Sequence, residues 1–299
     1  MKLGLAAAFG NSERRDIGFL KAAAQAIEAI GFDSLWLPEH VVFFSAADYE
    51  SKYPYSEDGS PPWGEDMGVY DPLFGIAVAA QVTTRLRFAT SVLILPQRPP
   101  LLTAKEVMTL DHITEGRFEF GVGGGWSKEE YEALGVPFEK RGKRFDEYIK
   151  AIKAAWASPN RSSFDGEFVR YQNAVLLPKP YTPGGPPFLI GGDSEAAMRR
   201  AATLGDGWYG WWAKYELAPH LELLRAELRK VGRENDPNFR LKLGIPYSGT
   251  PDDLHLKIEE AKREGVIEFV MALPFSSKRL EQDLEMWAAA AGISSRKAA

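Results

Sequence analysis

No cysteine occurs anywhere in the 299 residues. Its absence excludes disulfides, cysteine-ligated zinc and thiolate catalysis, and it is compatible with a reducing cytosol. Histidine is scarce as well, with four in the whole chain, and no metal site is expected. A basic excess is also missing. Lysine and arginine total 36 against 41 acidic residues, a net charge of −5, so there is no cationic surplus to condense on a phosphate backbone. Nucleic acid is therefore not an expected partner. No run approaches the ~20 apolar residues that a membrane helix requires. The segment Met1-Lys2-Leu3-Gly4-Leu5-Ala6-Ala7-Ala8-Phe9 superficially looks like a signal peptide. It lacks a longer charged lead and runs into a polar turn, so a buried first strand is the better reading. These exclusions leave the expectation of a soluble cytoplasmic protein with a small-molecule substrate. A homodimer is left open.

What is present is a regular alternation of strand-like and helix-like segments. Strands are read at 2–9, 33–37, 86–95, 117–122, 187–190, 206–210, 239–246 and 266–272. The first helix, at 16–30, ends on Gly31 in the C-cap manner, and the second, at 71–83, opens on Asp71-Pro72. Further helices follow Pro99-Pro100, span 141–157, 194–204 and 215–231, start at Thr250-Pro251-Asp252, and close the chain at 277–291. Eight β-then-α units in about 290 residues predict one α/β domain over 1–299, a (β/α)8 TIM barrel. An open doubly wound sheet is the rival, resting on Gly121-Val122-Gly123-Gly124-Gly125-Trp126. Trp126 stands where the dinucleotide fingerprint needs its third glycine, and a long loop precedes the next helix. That rival fails.

Two segments exceed a minimal barrel: 41–69 after the second strand, and 158–186 between the fourth and fifth, with a predicted hairpin turning near Asp165-Gly166. Long loops in compact domains are commonly lids or binding loops. Phe43, Phe44, Tyr53, Tyr55 and Trp63 suit a lid over a flat ligand; packing the loop down is the plainer reading of each.

The candidate site collects at strand ends, because parallel strands present their carboxyl ends on one face. Leu37-Pro38-Glu39-His40 places a histidine at the end of the second strand. An imidazole, with an unperturbed pKa of about 6.5, handles protons near neutrality, although a strand-end histidine by itself is more often structural. Gly191-Gly192-Asp193-Ser194 ends a strand and opens a helix, a place where backbone N–H groups accept a phosphate or simply make a tight turn. Thr90 and Ser91 put hydroxyls into an apolar strand; they bond the backbone at a bulge or face a polar cofactor ring. Gly123, Gly124 and Gly125 leave room for a planar ligand that Trp126 would wall. The run Lys140-Arg141-Gly142-Lys143-Arg144 is a solvated helix start or a seat for an anionic cofactor tail.

The chain resembles the luciferase-like monooxygenase superfamily, and more narrowly its branch using the deazaflavin coenzyme F420. The matching segments are Gly31 to His40, Arg87-Phe88-Ala89-Thr90-Ser91-Val92, Asp111-His112-Ile113-Thr114-Glu115-Gly116-Arg117-Phe118, Gly121 to Trp126 with Glu130-Tyr131, Pro187 to Gly192, and Gly205-Asp206-Gly207-Trp208. The resemblance implies that His40 lies beside the reactive face of the ring, with Glu39 its neighbour in the pocket. It implies a non-proline cis peptide at Ser91-Val92 behind the ring, and backbone at Gly191 and Gly192 meeting the cofactor phosphate. His112, on a helix, is read as structural. The cofactor-binding set is thus Glu39, His40, Thr90, Ser91, Val92, Gly123, Gly124, Gly191 and Gly192, with His40 catalytic. The activity expected is hydride transfer between F420 and a small organic substrate. The alternatives are an FMN-dependent monooxygenase using reduced flavin and O2, and a cofactor-binding protein without turnover.

Overall fold

Strands and helices alternate along the chain in a computed structural model that describes residues 1–10, 15–64 and 67–293. The first half contains β1 (Lys2–Ala6), α1 (Ile17–Ile30), β2 (Ser34–Leu37), α2 (Pro72–Ala80), β3 (Arg87–Thr90) and β4 (Leu93–Ile94). It continues with α3 (Pro100–Ile113), β5 (Phe118–Gly123), α4 (Lys128–Ala133) and α5 (Arg141–Ala157). The second half contains β6 (Ser162–Asp165), β7 (Arg170–Ala174), β8 (Phe188–Gly191), α6 (Glu195–Leu204) and β9 (Gly207–Trp211). Last come α7 (Leu217–Lys230), β10 (Arg240–Pro246), α8 (Pro251–Arg263), β11 (Glu268–Ala272) and α9 (Leu280–Ala290). Helix starts follow their caps. Asp16 accepts from Gly18 N–H, and Asp71, ahead of Pro72, accepts from Leu73 and Phe74 N–H.

The ladder order β3-β2-β1-β11-β10-β9-β8-β5 closes on itself through the pairing of β3 with β5. Eight parallel strands therefore form a ring with helices between them, the (β/α)8 barrel expected from the spacing. The segment β4 lies outside the ring, parallel to β5, and β6 with β7 makes the expected hairpin, with Gly166 N–H bonded to the Val169 carbonyl across its turn.

One strand departs from expectation. The stretch 86–95 is not continuous but leaves the ladder after Thr90, at the cis Ser91–Val92 peptide, and resumes as β4. Next to this break the backbones crowd. A Cβ on Gly121 would sit 1.9 Å from the Thr90 carbonyl oxygen, so only glycine fits opposite.

Period-2 alternation sorts the strand residues into two cores. Outward-facing Leu5, Leu35, Phe88, Phe120, Phe188, Trp208 and Phe269 pack against the helices in the larger cluster. Inward-facing Ala6, Trp36, Ala89, Leu189, Tyr209 and Val270 form a separate inner cluster, in which Trp36 stacks on Tyr209 at 4.4 Å. Near the strand starts the inward positions turn polar. Lys242, only 3% exposed, donates to both Glu119 and Glu268, while Arg87 reaches Glu119 at 2.9 Å. Ser34 bonds Glu268, and Trp36 Nε1 donates to Ser34 Oγ at 2.8 Å. Burial would raise the Glu119 carboxyl, but the charges of Lys242 and Arg87 outweigh it and hold that group below the usual carboxylate range.

Replacing Lys242 by Met takes the ammonium from buried Glu268 and leaves Glu119 with Arg87, and we expect a loss of about 3–5 kcal/mol in denaturant unfolding. Adding Glu119→Gln and Glu268→Gln to that variant should recover part of the loss, because the uncompensated charges go with it. A Lys242→Met protein as stable as the wild type would show that the pair of carboxylates does not need the Lys242 ammonium.

Candidate active site

Just past β2, alternation sends Glu39 and His40 in opposite directions. Glu39 is turned into the wall: one oxygen accepts from Ile94 N–H at 2.5 Å, the other from Arg98 Nε at 2.9 Å. Arg98 also holds Asp71, the cap of α2. Burial pushes the Glu39 carboxyl up, with Arg98 pulling the other way. Glu39 therefore shapes the entrance of the chain into the site, and its carboxylate is occupied within the protein.

His40 meets a different carboxylate. Its Nδ1 lies 3.0 Å from Oε2 of Glu130, on α4, which is 1% exposed. The other oxygen of Glu130 accepts from Val41 N–H at 2.6 Å, and Ser127 caps the same helix through Glu130 N–H. Burial alone would raise Glu130. The His40 hydrogen bond and charge and the Val41 N–H together hold it below the ordinary range instead. An acceptor carboxylate facing Nδ1 assigns the proton to that nitrogen, which leaves Nε2 as the atom able to exchange a proton.

The first insertion roofs this pair. Rings of Phe43, Trp63 and Trp126 stand 5.1, 5.5 and 5.9 Å from the His40 ring. Tyr53 joins Trp63, Trp126 and Tyr55, and burial pushes its hydroxyl up to about 12. Phe44 instead packs edge-on against Tyr49. Glu129 ties the segment to α4 by accepting from Glu50 and Ser51 N–H at 2.8 and 2.9 Å.

Val92 fills the room that two glycines leave. A Cβ on Gly123 would lie 2.5 Å, and one on Gly191 2.6 Å, from a Val92 methyl. The glycine run thus seats a side chain of the protein, not an open slot as expected. Only Gly124 has slack, with Phe145 at 3.8 Å as its nearest neighbour. Thr90 is fully buried and donates to the Gly121 carbonyl at 2.5 Å, so its hydroxyl is already spent on the backbone. Burial pushes the hydroxyl of Tyr209 up, and that hydroxyl has no hydrogen-bond partner.

Beyond β8, Gly192 takes a left-handed φ of 112° and donates its N–H to the Tyr209 carbonyl at 3.3 Å. Ser194 caps α6, whose other first-turn N–H groups have no intrahelical acceptor. Asp193 is turned from that helix start toward β9, accepting from Trp211 N–H at 3.0 Å. The cationic run after β5 is largely committed to its own loop. Lys140 pairs with Glu167, Arg141 lies over Phe138, and buried Arg144 donates to the Pro137 carbonyl at 2.7 Å. Lys143 is exposed beside them. His112 sits on α3, 2.7 Å from the Lys179 carbonyl.

A family model for luciferase-like monooxygenases matches residues 1–264. The chain belongs to that family. Its members are oxidoreductases and monooxygenases that use a flavin or deazaflavin. An uncharacterized protein of Mycobacterium tuberculosis is 39% identical over 193 residues, covering 64% of this chain and 65% of that protein. The FMNH2-dependent dimethylsulfone monooxygenase of Pseudomonas putida is 37% identical over 130 residues, 42% of this chain and 35% of the other. Two solved structures share the fold. The monooxygenase RslO1 of Streptomyces bottropensis superposes with a TM-score of 0.76 at 19% identity, covering 97% of this chain and 98% of the other. An F420-dependent secondary alcohol dehydrogenase bound to an F420-acetone adduct gives 0.72 at 18% identity, with the same coverages.

Sequence reasoning missed Glu130 as the partner of His40. Its one signal, Ser127 three residues ahead of a glutamate, marks a helix start and says nothing of what the carboxylate faces. Because Glu130 is held below its unfolded pKa, its stabilisation is complete above the ordinary carboxylate range and is lost as pH falls through the folded value. We expect Glu130→Gln to cost about 1–3 kcal/mol at pH 7, to cost less as pH falls through that range, and to speed amide exchange at Val41. Equal loss at every pH would place the effect in packing.

Proposed function

We propose that this chain is an oxidoreductase that binds F420 in the barrel mouth and passes hydride between the deazaflavin and a small organic substrate. The His40–Glu130 pair carries the reading: an oriented imidazole, Nε2 free, under an aromatic roof that excludes water. The residues present fit a planar cofactor with an anionic end. Ser91 and Val92 supply a floor, and Gly191, Gly192 and the start of α6 supply backbone at which a phosphate can be received. The deazaflavin, when bound, supplies the hydride chemistry. His40 takes a proton at Nε2 when substrate is oxidised and returns it when substrate is reduced. Glu130 holds the ring's orientation and stabilises the imidazolium that forms. Support for F420 comes from the resemblance of Leu37 to His40 and Arg87 to Val92 to the F420-dependent branch.

An FMN-dependent monooxygenase is the second reading. The 37% identity with the P. putida FMNH2-dependent enzyme favours it, as does the internal use of Lys140, Arg141 and Arg144. Titration of apo-protein with F420 and FMN side by side decides between them. We expect tighter binding of F420, and a fall in turnover of about 10²-fold or more for His40→Ala with its melting temperature nearly kept. Tight FMN binding without measurable F420 affinity would overturn the choice of cofactor, and wild-type turnover in His40→Ala would overturn the role of His40.

A further inference from the structure

A second polar pair lies in the barrel mouth, on the side of β8 and β9. Asp193 Oδ1 is engaged, accepting from Trp211 N–H at 3.0 Å and from the Tyr215 hydroxyl at 3.3 Å. Its Oδ2 is buried and has no hydrogen-bond partner. His220, in the first turn of α7, presents an Nε2 that is likewise buried and unpartnered. That nitrogen stands 3.8 Å from Asp193 Oδ1, too far for a hydrogen bond. Tyr215 stacks flat on His220, with ring centres 3.7 Å apart and planes 22° from parallel, which fixes the imidazole plane. Both side chains are nearly enclosed, at 13% and 15% exposure.

The first insertion covers this pair as it covers His40. Lys214 donates to the Ser56 carbonyl at 2.9 Å, tying the insertion to the segment before α7. Tyr55 follows Tyr53 and Trp63 in a chain of ring contacts that ends on His40, so one aromatic roof joins both polar pairs.

Buried polar atoms are nearly always hydrogen-bonded. Here a carboxylate oxygen and an imidazole nitrogen, with the Tyr209 hydroxyl nearby, are left without partners, and one group that both donates and accepts would satisfy the carboxylate and the imidazole. We propose that Asp193 and His220 form a substrate-recognition subsite for a neutral hydroxyl group, which donates to Asp193 Oδ2 and accepts from His220 Nε2–H. A carboxylate or phosphate ligand would meet the charge of Asp193, beside which stand the His220 imidazole and tyrosine hydroxyls. The charge of Asp193 also adds to burial in pushing the Tyr55, Tyr209 and Tyr215 hydroxyls up, so they offer that ligand no compensating charge. The aromatic walls suit an apolar or aromatic frame, which makes phenols and alcohols on such frames the substrate class. This inference rests on the mouth being the active site, but not on which cofactor binds there.

Calorimetric titration of apo-protein with phenol and with anisole, its methyl ether, tests the subsite directly. Anisole keeps the ring and loses the donor. We expect phenol to bind at least tenfold more tightly than anisole. Asp193→Asn and His220→Phe should each abolish that preference, and His40→Ala should keep it. Asparagine can still accept at Trp211 N–H, and phenylalanine can still stack on Tyr215, so melting temperatures near wild type will show that the variants fold. Equal binding of the two probes, binding of neither, tighter binding of benzoate or benzylamine than of phenol, or a preference unchanged in Asp193→Asn would each overturn the proposal. A retained phenol preference in a protein that binds neither F420 nor FMN would sink the cofactor reading and leave the subsite standing.

Discussion

A lysine ammonium shared between two carboxylates inside a closed barrel constrains everything built above it. Lys242, Glu119 and Glu268 come from β10, β5 and β11: Lys242 meets Glu268 as its register partner on the neighbouring strand and reaches Glu119 across the interior. Charges there persist only in mutual contact, since each would be costly alone in a dry interior. They close the end of the barrel where the strands start. Above them Trp36 and Tyr209 stack across the lumen and make the next layer. A ligand therefore has one way in, through the strand ends.

At that open end small residues and one valine set the geometry. Val92 reaches into the space beside Gly123 and Gly191, so three strand ends interlock through a single side chain. The loops then supply polar groups in two separated pairs, His40 with Glu130 and Asp193 with His220. Each histidine is oriented by its neighbours, a carboxylate in one case and a stacked tyrosine in the other. One insertion covers both pairs, and its aromatic rings make contact with one another as much as with the pairs.

The electrostatics near the mouth also changed meaning once neighbours were known. Five consecutive positions rich in Lys and Arg read as a cationic patch, yet Arg144 points at carbonyls and Lys140 at Glu167. Charge counted along the chain measures what is available only before the fold assigns partners. The glycine run shows the same effect in steric form. Three glycines read as open space, but space in a packed protein is filled by whatever side chain lies opposite, here Val92 and, at Gly125, Ile94 and Tyr131.

The sequence by itself determined the barrel, its eight repeating units, both insertions and the strand-end position of His40. These are local matters: period-2 strands, capped helices such as α2 behind Asp71, and the shared direction of parallel strands. The tertiary structure alone decided the partnerships. Glu130 lies 90 residues from His40 in the chain, Glu119 lies 123 from Lys242, and His220 on α7 faces Asp193 in the loop between β8 and α6. No spacing rule links such positions, because the closure of the ring, and not local periodicity, brings them together. The break of the third strand at Ser91–Val92 belongs to the same class, since its crowding against Gly121 exists only after β5 has been laid beside β3.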